Sequence, residues 1–324
     1  MAMNATPLRR KDGAAGRVED HANEDGGPSG PGGLGALGGV VIFSDGELSR
    51  FADVYPDKPL RLRHGLCDHP LLSHDALNRL AARTPNEHQE FNAGDIAVDG
   101  YDEDAIPKNG LTIAETVASI DRNRSWACLH NVEIHPAYKA LVTRFHETIA
   151  PVVRPATGAV FRPEADIFVS SAGAVAPFHI DPQHNILMQI CGEKTVWLYD
   201  ADDDVVLPQT RHEEYHATGR ANLAYDAARF KERGRPYRLL PGDALFIPVK
   251  APHWVEVAPE GFSVSLSMTW RSAGSDRDRR VHRINHMLRR IGYGPSRPGA
   301  HPVRDMIKAE AFRVVEKIGL TSYK

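Results

Sequence analysis

A mainly β fold with flanking helices is the architecture this sequence predicts, and three observations predict it. Between about residues 160 and 272, apolar residues recur with period two in seven or so short runs separated by turn signals, the pattern of a sandwich or barrel. On either side of that block the apolar spacing is helical. The first 38 residues show neither pattern, and ten of the 27 glycines fall in residues 1–39. The stretch GGPSGPGGLGALGG has too little apolar surface to offset its ordering entropy, so a disordered tail is expected there.

In chain order, Val40-Val41-Ile42-Phe43 is a β-prone run, and Ser44 to Glu47 has capping-box spacing that opens a helix. Pro59 to Arg63 alternates like a strand. Ser73 caps a helix through Leu77, Leu80 and Ala81, and Thr112 with Glu115 forms a second capping box ahead of Val117 and Ile120. Pro136 suits the first turn of a helix that carries Leu141, Phe145 and Ile149 on one face. Strands are expected over 167–169, 185–190, 195–199, 237–240, 244–247, 254–257 and 262–270. The polar stretch 200–235 reads as an excursion outside the core. After Trp270 the helical period returns, with one stripe on Val281, Ile284, Leu288 and Ile291 and another on Val303, Ile307, Ala311, Val314 and Ile318.

The 324 residues allow about two domains at ~150 residues each, or one large β domain with extensions. Lys and Arg total 39 against 42 Asp and Glu, a formal charge of -3 that gives no global basic field for nucleic acid or an anionic membrane. No run approaches the ~18 apolar residues of a membrane span. The early polar residues do not read as a signal peptide, and Cys67, Cys128 and Cys191 are odd in number and far apart. A cytoplasmic protein without a disulfide framework is the expectation.

The chemistry centres on His179-Ile180-Asp181 and on His253, 72 positions after the aspartate. Residues i and i+2 of a strand share a face, so an imidazole and a carboxylate stand side by side, and a second histidine from a neighbouring strand would complete a face of three ligands. Two histidines and one carboxylate with the opposite positions open is the ligand set of non-haem Fe(II) oxygenases. With sixteen histidines in the chain, His-x-Asp alone is weak evidence. The text around it is more specific: His179-x-Asp181-x3-Asn185-x3-Gln189-x2-Gly192-x-Lys194, then Pro241-Gly242-Asp243-Ala244-Leu245-Phe246-Ile247-Pro248, then His253.

Over roughly residues 160–272, and more weakly from about 40, this order of motifs resembles the JmjC-type cupin oxygenases, nearest the branch of the factor-inhibiting-HIF asparaginyl hydroxylase. The resemblance implies a double-stranded β-helix (a cupin or jelly-roll barrel) with N-terminal and C-terminal helices. It divides the chain into a Gly-rich tail (1–38), a helical or mixed region packing on the barrel (39–158), a JmjC-like barrel (159–272) and C-terminal helices (273–324). It makes His179, Asp181 and His253 the iron ligands and catalytic centre. It also makes Lys194 the partner of the far carboxylate of 2-oxoglutarate, with Asn185 near that co-substrate. A dianion inside an apolar barrel needs such a cation. Read alone, Lys194 could instead stand exposed after the Cys191-Gly192-Glu193 turn, and Asn185 could simply begin a strand. Phe168, Leu187 and Trp270 fit either pocket walls or core. Gly242-Asp243 reads as a structural turn, and His130 and His184 as neighbours of the site rather than ligands.

The sequence departs from the family pattern at Ala176, where a hydroxyl often bonds the co-substrate, and near Trp126-Ala127-Cys128, where an upstream tyrosine has no counterpart. Met268 stands where the resembled branch has asparagine. The activity implied is that of an Fe(II)- and 2-oxoglutarate-dependent dioxygenase, a hydroxylase of a protein side chain or small molecule that also consumes molecular oxygen. The rivals are a cupin-type zinc enzyme with the same three ligands and a JmjC-like binding or regulatory protein without turnover. A homodimer through the C-terminal helices is expected from the same branch. Seven arginines against two aspartates in residues 271–290, and Asp200 with Asp202, Asp203 and Asp204, read as solvated charge rather than as nucleic-acid or cation sites.

Overall fold

The computed structural model describes residues 40–99, 107–219 and 223–318, so the expected Gly-rich tail lies outside the described residues. Four helices precede and interleave with the first strands: α1 (Asp45–Val54), α2 (His74–Ala81), α3 (Ile113–Ala118) and α4 (Pro136–Thr157). Ser44, Ser73 and Thr112 each accept a backbone N–H at the start of their helices, and Thr112 with Glu115 closes both halves of its capping box. Val40 to Phe43 forms no strand. Ile42 and Phe43 enter the core as side chains instead.

The strands are β1 (Leu60–Arg63), β2 (Gln89–Ala93), β3 (Ser125–Leu129), β4 (Val160–Ser171), β5 (Val175–His179), β6 (His184–Cys191), β7 (Lys194–Leu198), β8 (Arg235–Leu239), β9 (Asp243–Ile247), β10 (His253–Val257) and β11 (Phe262–Ser272). They form a seven-stranded sheet in the order β1-β9-β6-β11-β4-β3-β2 and a four-stranded sheet in the order β5-β10-β7-β8. Every pairing among the described residues is antiparallel. The fold is therefore the expected mainly β, jelly-roll barrel with flanking helices. One expectation needs correction: the region before residue 159 does more than pack on the barrel, because β1, β2 and β3 are strands of its larger sheet.

Strand alternation sorts the side chains into three layers. Ile186, Met188, Leu266, Met268 and Trp270 point outward from the larger sheet and pack with Phe51 of α1 and Phe145 of α4. Met268 and Trp270 are thus core residues on the helix side. Phe168, Leu187 and Leu245 of the larger sheet meet Val196, Leu198 and Val255 of the smaller one inside the barrel. Phe178, Tyr199 and Trp254 face outward from the smaller sheet and are covered by Leu207, Tyr215 and Phe230. The stretch 200–235 is therefore more than an excursion. It holds α5 (Gln209–Thr218) and α6 (Ala227–Phe230), which roof the smaller sheet.

The C-terminal pair, α7 (Ala273–Arg290) and α8 (Pro302–Lys317), is laced by charge. Arg279, Arg280 and Arg283 of α7 converge on Glu316 at 3.2, 2.9 and 3.3 Å, and Arg289 meets the buried Glu213 of α5 at 2.5 Å. The arginine run is thus tied down rather than merely solvated. On α8 it is Asp305, Ala309 and Phe312 that face inward, while Val303, Ile307, Val314 and Ile318 are all more than half exposed.

The turn before β9 is clamped by charge. Gly242 sits at φ +86°, and the Asp243 carboxylate behind it bonds Arg61, Arg63 (2.6 Å) and the Leu240 N–H (2.9 Å). Burial opposes ionisation of Asp243, but Arg61, the Leu240 N–H and Arg63 outweigh it and hold the carboxyl below its ordinary range. The stability this lends is present above the unfolded-state pKa and is lost as pH falls through the lower folded value. Asp243→Asn is expected to lower urea-unfolding stability by about 1.5–3 kcal/mol at neutral pH, the worth of charged hydrogen bonds, with the gap narrowing in acid. A gap of constant size across that range would assign the loss to shape rather than charge.

Candidate active site

Strand register brings the two histidines together. His179 ends β5, His253 begins β10, and the two are directly paired. Their ring centroids lie 4.1 Å apart, and both residues are 3% exposed. Asp181 lies just past the end of β5 rather than within a strand, as alternation had placed it, yet its carboxylate still reaches both rings. Oδ1 lies 3.8 Å from Nε2 of His179, and Oδ2 lies 3.8 Å from Nε2 of His253.

The hydrogen bonds around the triad fix which atoms face inward. His179 Nδ1 donates to the Pro177 carbonyl at 2.6 Å and His253 Nδ1 to the Ala251 carbonyl at 3.0 Å. A carbonyl only accepts, so each Nδ1 carries a proton, and Nε2 is the ring nitrogen each histidine turns toward Asp181. Asn185 Nδ2 donates to Asp181 Oδ2 at 3.1 Å, while Ser267 donates to Asn185 Oδ1 at 2.9 Å. The Lys250 N–H holds the Asp181 carbonyl at 3.0 Å. Burial, with the His253 ring beside it, holds His179 well below the ordinary imidazole range. Three donor atoms within 4.8 Å of one another, two of them oriented by carbonyls on the far ring nitrogen, form a set that fits a divalent cation.

Lys194 opens β7 and points into the barrel, with 4% of its surface exposed. Gly192 makes this possible. It sits at φ +69° in the β6–β7 turn, and a Cβ there would lie 2.0 Å from the Phe262 carbonyl oxygen. The ammonium is 5.9 Å from the Phe168 ring centroid, and no ion pair to it forms among the described residues. Burial lowers it to about 7. The exposed-hairpin alternative is therefore excluded by position. Asn185 and Leu187 face the same interior, and Ala176 adds no hydroxyl to it.

His184 points the other way. Its Nε2 lies 3.1 Å from both the Tyr55 and Ser272 hydroxyls, and its ring stacks on Trp270. Asp202 and Asp204 pair with Arg297, and Asp203 with Arg233. Sequence reading, which places His130 only as a neighbour of the site, missed a second group of polar side chains: Cys128 of β3, His130 just past its end and Asp166 of β4, whose donor atoms also lie within 4.8 Å of one another. The i, i+2 spacing of Cys128 and His130 was available as a signal once β3 was known to be a strand.

Comparison with known proteins places the fold. A zebrafish (Danio rerio) lysine-specific demethylase 8 is 34% identical over 116 residues, covering 33% of this chain and 28% of that protein. The Jumonji C domain-containing protein 5 of Drosophila melanogaster is 36% identical over 109 residues, covering 31% and 26%. The matches thus span less than a third of those relatives. One of these relatives is named a demethylase and the other only for its Jumonji C domain, so the likeness holds for the cupin-like JmjC domain and does not single out the factor-inhibiting-HIF branch. Among solved structures, YcfD, a ribosomal oxygenase from Escherichia coli in complex with cobalt and 2-oxoglutarate, is 18% identical with a TM-score of 0.44, covering 83% of this chain and 66% of that one. The model of the Cupin-like domain family matches residues 111–276, from α3 through the barrel to the first turn of α7. The chain belongs to the cupin-like domain family.

Proposed function

We propose that this protein is an Fe(II)- and 2-oxoglutarate-dependent oxygenase that hydroxylates a protein side chain or small molecule. The observation that carries the reading is the pair of Nε2 atoms converging with the Asp181 carboxylate in the same barrel that buries Lys194. His179, Asp181 and His253 would hold the iron, which supplies oxygen activation coupled to decarboxylation of 2-oxoglutarate. Lys194 would hold the far carboxylate of the co-substrate, and Asn185 keeps the Asp181 carboxylate turned toward the histidines. Lys194 is buried with no ion pair among the described residues, a cation for which a zinc hydrolase has no use, and this favours the oxygenase over that rival. The test is succinate release with Fe(II) and 2-oxoglutarate, with and without oxygen. Oxygen-dependent release supports the reading, and its absence under every iron condition removes it. Mass profiling of cell extract for products one oxygen heavier would then identify the substrate.

We also propose that the chain is a homodimer joined through α8. Val303, Met306, Ile307, Val314 and Ile318 are exposed on a helix whose opposite face already packs on α7. Sedimentation is expected to give twice the 35.7 kDa chain mass for the wild type, and Ile307→Asp is expected to give the monomer. A monomeric wild type would end this proposal without touching the first.

A further inference from the structure

We propose that Cys128, His130 and Asp166 form a second metal centre, separate from the triad and suited to zinc. Cys128 lies on β3, His130 follows it two residues on, and the register pairing Leu129 with Ile167 sets Asp166 of β4 opposite His130. Cys128 Sγ is 3.5 Å from His130 Nδ1, and Nδ1 is 3.3 Å from Asp166 Oδ2. Tetrahedral zinc, with bonds of about 2.3 Å to sulfur and about 2.0–2.1 Å to nitrogen and oxygen, requires edges of about 3.5 and about 3.3 Å. The remaining edge, sulfur to carboxylate, is within 4.8 Å and closes by a small turn of the Asp166 side chain.

The hydrogen-bond chemistry of the cluster points the same way. His130 Nδ1 faces the Cys128 sulfur and the Asp166 carboxylate at once, and one ring nitrogen cannot make a full hydrogen bond to both. A cation at that point satisfies all three groups at once. The orientation of each ligand is already set from behind. His130 Nε2 lies 3.1 Å from Glu90 Oε2 on β2, and Asp166 Oδ1 accepts the Asn131 N–H at 2.9 Å, which leaves Oδ2 turned toward the cluster. A carboxylate on the far nitrogen of a ligating histidine is the support that zinc sites use. The thiol is fully buried, whereas His130 and Asp166 are 16% and 25% exposed along their side chains, so an ion can enter from the rim. A sulfur donor also distinguishes this site from the triad, whose nitrogen and oxygen donors suit iron. An ion here would pin the edge strand β2 to β3 and β4. Its ligands are not those of the triad, although Cys128 faces the same barrel interior as Phe168 and Lys194.

Cobalt(II) titration of the chelator-stripped full chain tests it, because a thiolate ligand gives a charge-transfer band that a His2Asp site cannot. The wild type is expected to bind two equivalents, one with that band and with the intense visible absorption of a four-coordinate ion. His179→Ala is expected to lose one equivalent and keep the band. Cys128→Ser is expected to keep the other equivalent and lose the band. Glu90→Gln is expected to weaken the banded site about 10- to 100-fold. The double variant Cys67→Ser/Cys191→Ser leaves the cluster intact and is expected to keep the band. A wild-type titration without the charge-transfer band, or a band that depends on Cys67 or Cys191, overturns the proposal. Two results would mark failure of the iron reading alone: cobalt confined to the Cys128 site, or a normal band beside absent succinate release.

Discussion

His179→Ala is expected to abolish stoichiometric Fe(II) binding at the triad while the protein stays folded. A facial site has three protein ligands, and removing one leaves His253 and Asp181 as a two-point contact that water outcompetes. The folded state does not need the ring for its architecture. His179 closes the end of β5, and the hydrogen bond its ring makes, to the Pro177 carbonyl, lies within that strand. The truncation should therefore cost about 1–3 kcal/mol, the usual range for a buried side chain. Binding gives a readout that does not depend on turnover: a metal at 100 times its Kd stabilises a protein by about 2.7 kcal/mol. Mn(II), which resists oxidation, should raise the melting temperature of the wild type and leave that of His179→Ala unmoved at the triad. His184→Ala is the contrast. It should weaken the fold, because His184 ties Tyr55 and Ser272 over Trp270, yet leave metal binding intact. If His179→Ala takes up iron as the wild type does, the triad is not the metal site.

The parts of this fold that announce themselves are those with local chemical signals. Ser44, Thr112 and Pro136 mark helix starts because unsatisfied N–H groups demand an acceptor or a residue without a donor. Most strands after residue 160 show because they have one face in the barrel and one on covering elements, whereas β5, Val175 to His179, has no alternating run of its own and is not among the expected strands. β3 did not show. Ser125 to Leu129 is buried on both faces, so its alternation is erased, and its partner β2 is a polar edge strand that reads as loop. Missing β3 concealed the relation between Cys128 and His130. α5 deceived in the other direction: Gln209 to Thr218 is polar in composition, yet His212, Glu213 and His216 are buried, Glu213 against Arg289 of α7. That partner, 76 residues away, leaves no trace in the local pattern. The triad was legible only through family likeness, since nothing in the spacing of Asp181 and His253 dictates that β5 and β10 are neighbours.

Lys194→Ala is expected to raise the concentration of 2-oxoglutarate needed for half-maximal turnover about ten- to a hundredfold, while iron binding changes little. A charge-assisted pair to a carboxylate in a partly dry pocket is worth roughly 1.5–3 kcal/mol. Ala176 brings no hydroxyl to share the load, and the apolar neighbours Phe168, Leu187 and Val196 offer none. Lys194→Arg should also impair, because the planar head needs room that the co-substrate would fill. The pH dependence is the sharper signature. Burial lowers the amine to about 7, so the free protein loses this charge as pH rises through that value. The dianion needs the charged form, so its binding should be flat in acid and should weaken about tenfold per unit above pH 7, until the pKa of the bound state is reached. Calorimetry at pH 8 in two buffers of different ionisation heat should register proton uptake on binding in the wild type and none in Lys194→Ala. A 2-oxoglutarate requirement that is independent of pH between 6.5 and 8.5, and unmoved by the alanine substitution, would mean that the far carboxylate is anchored elsewhere in the barrel or that the co-substrate is not a dicarboxylate.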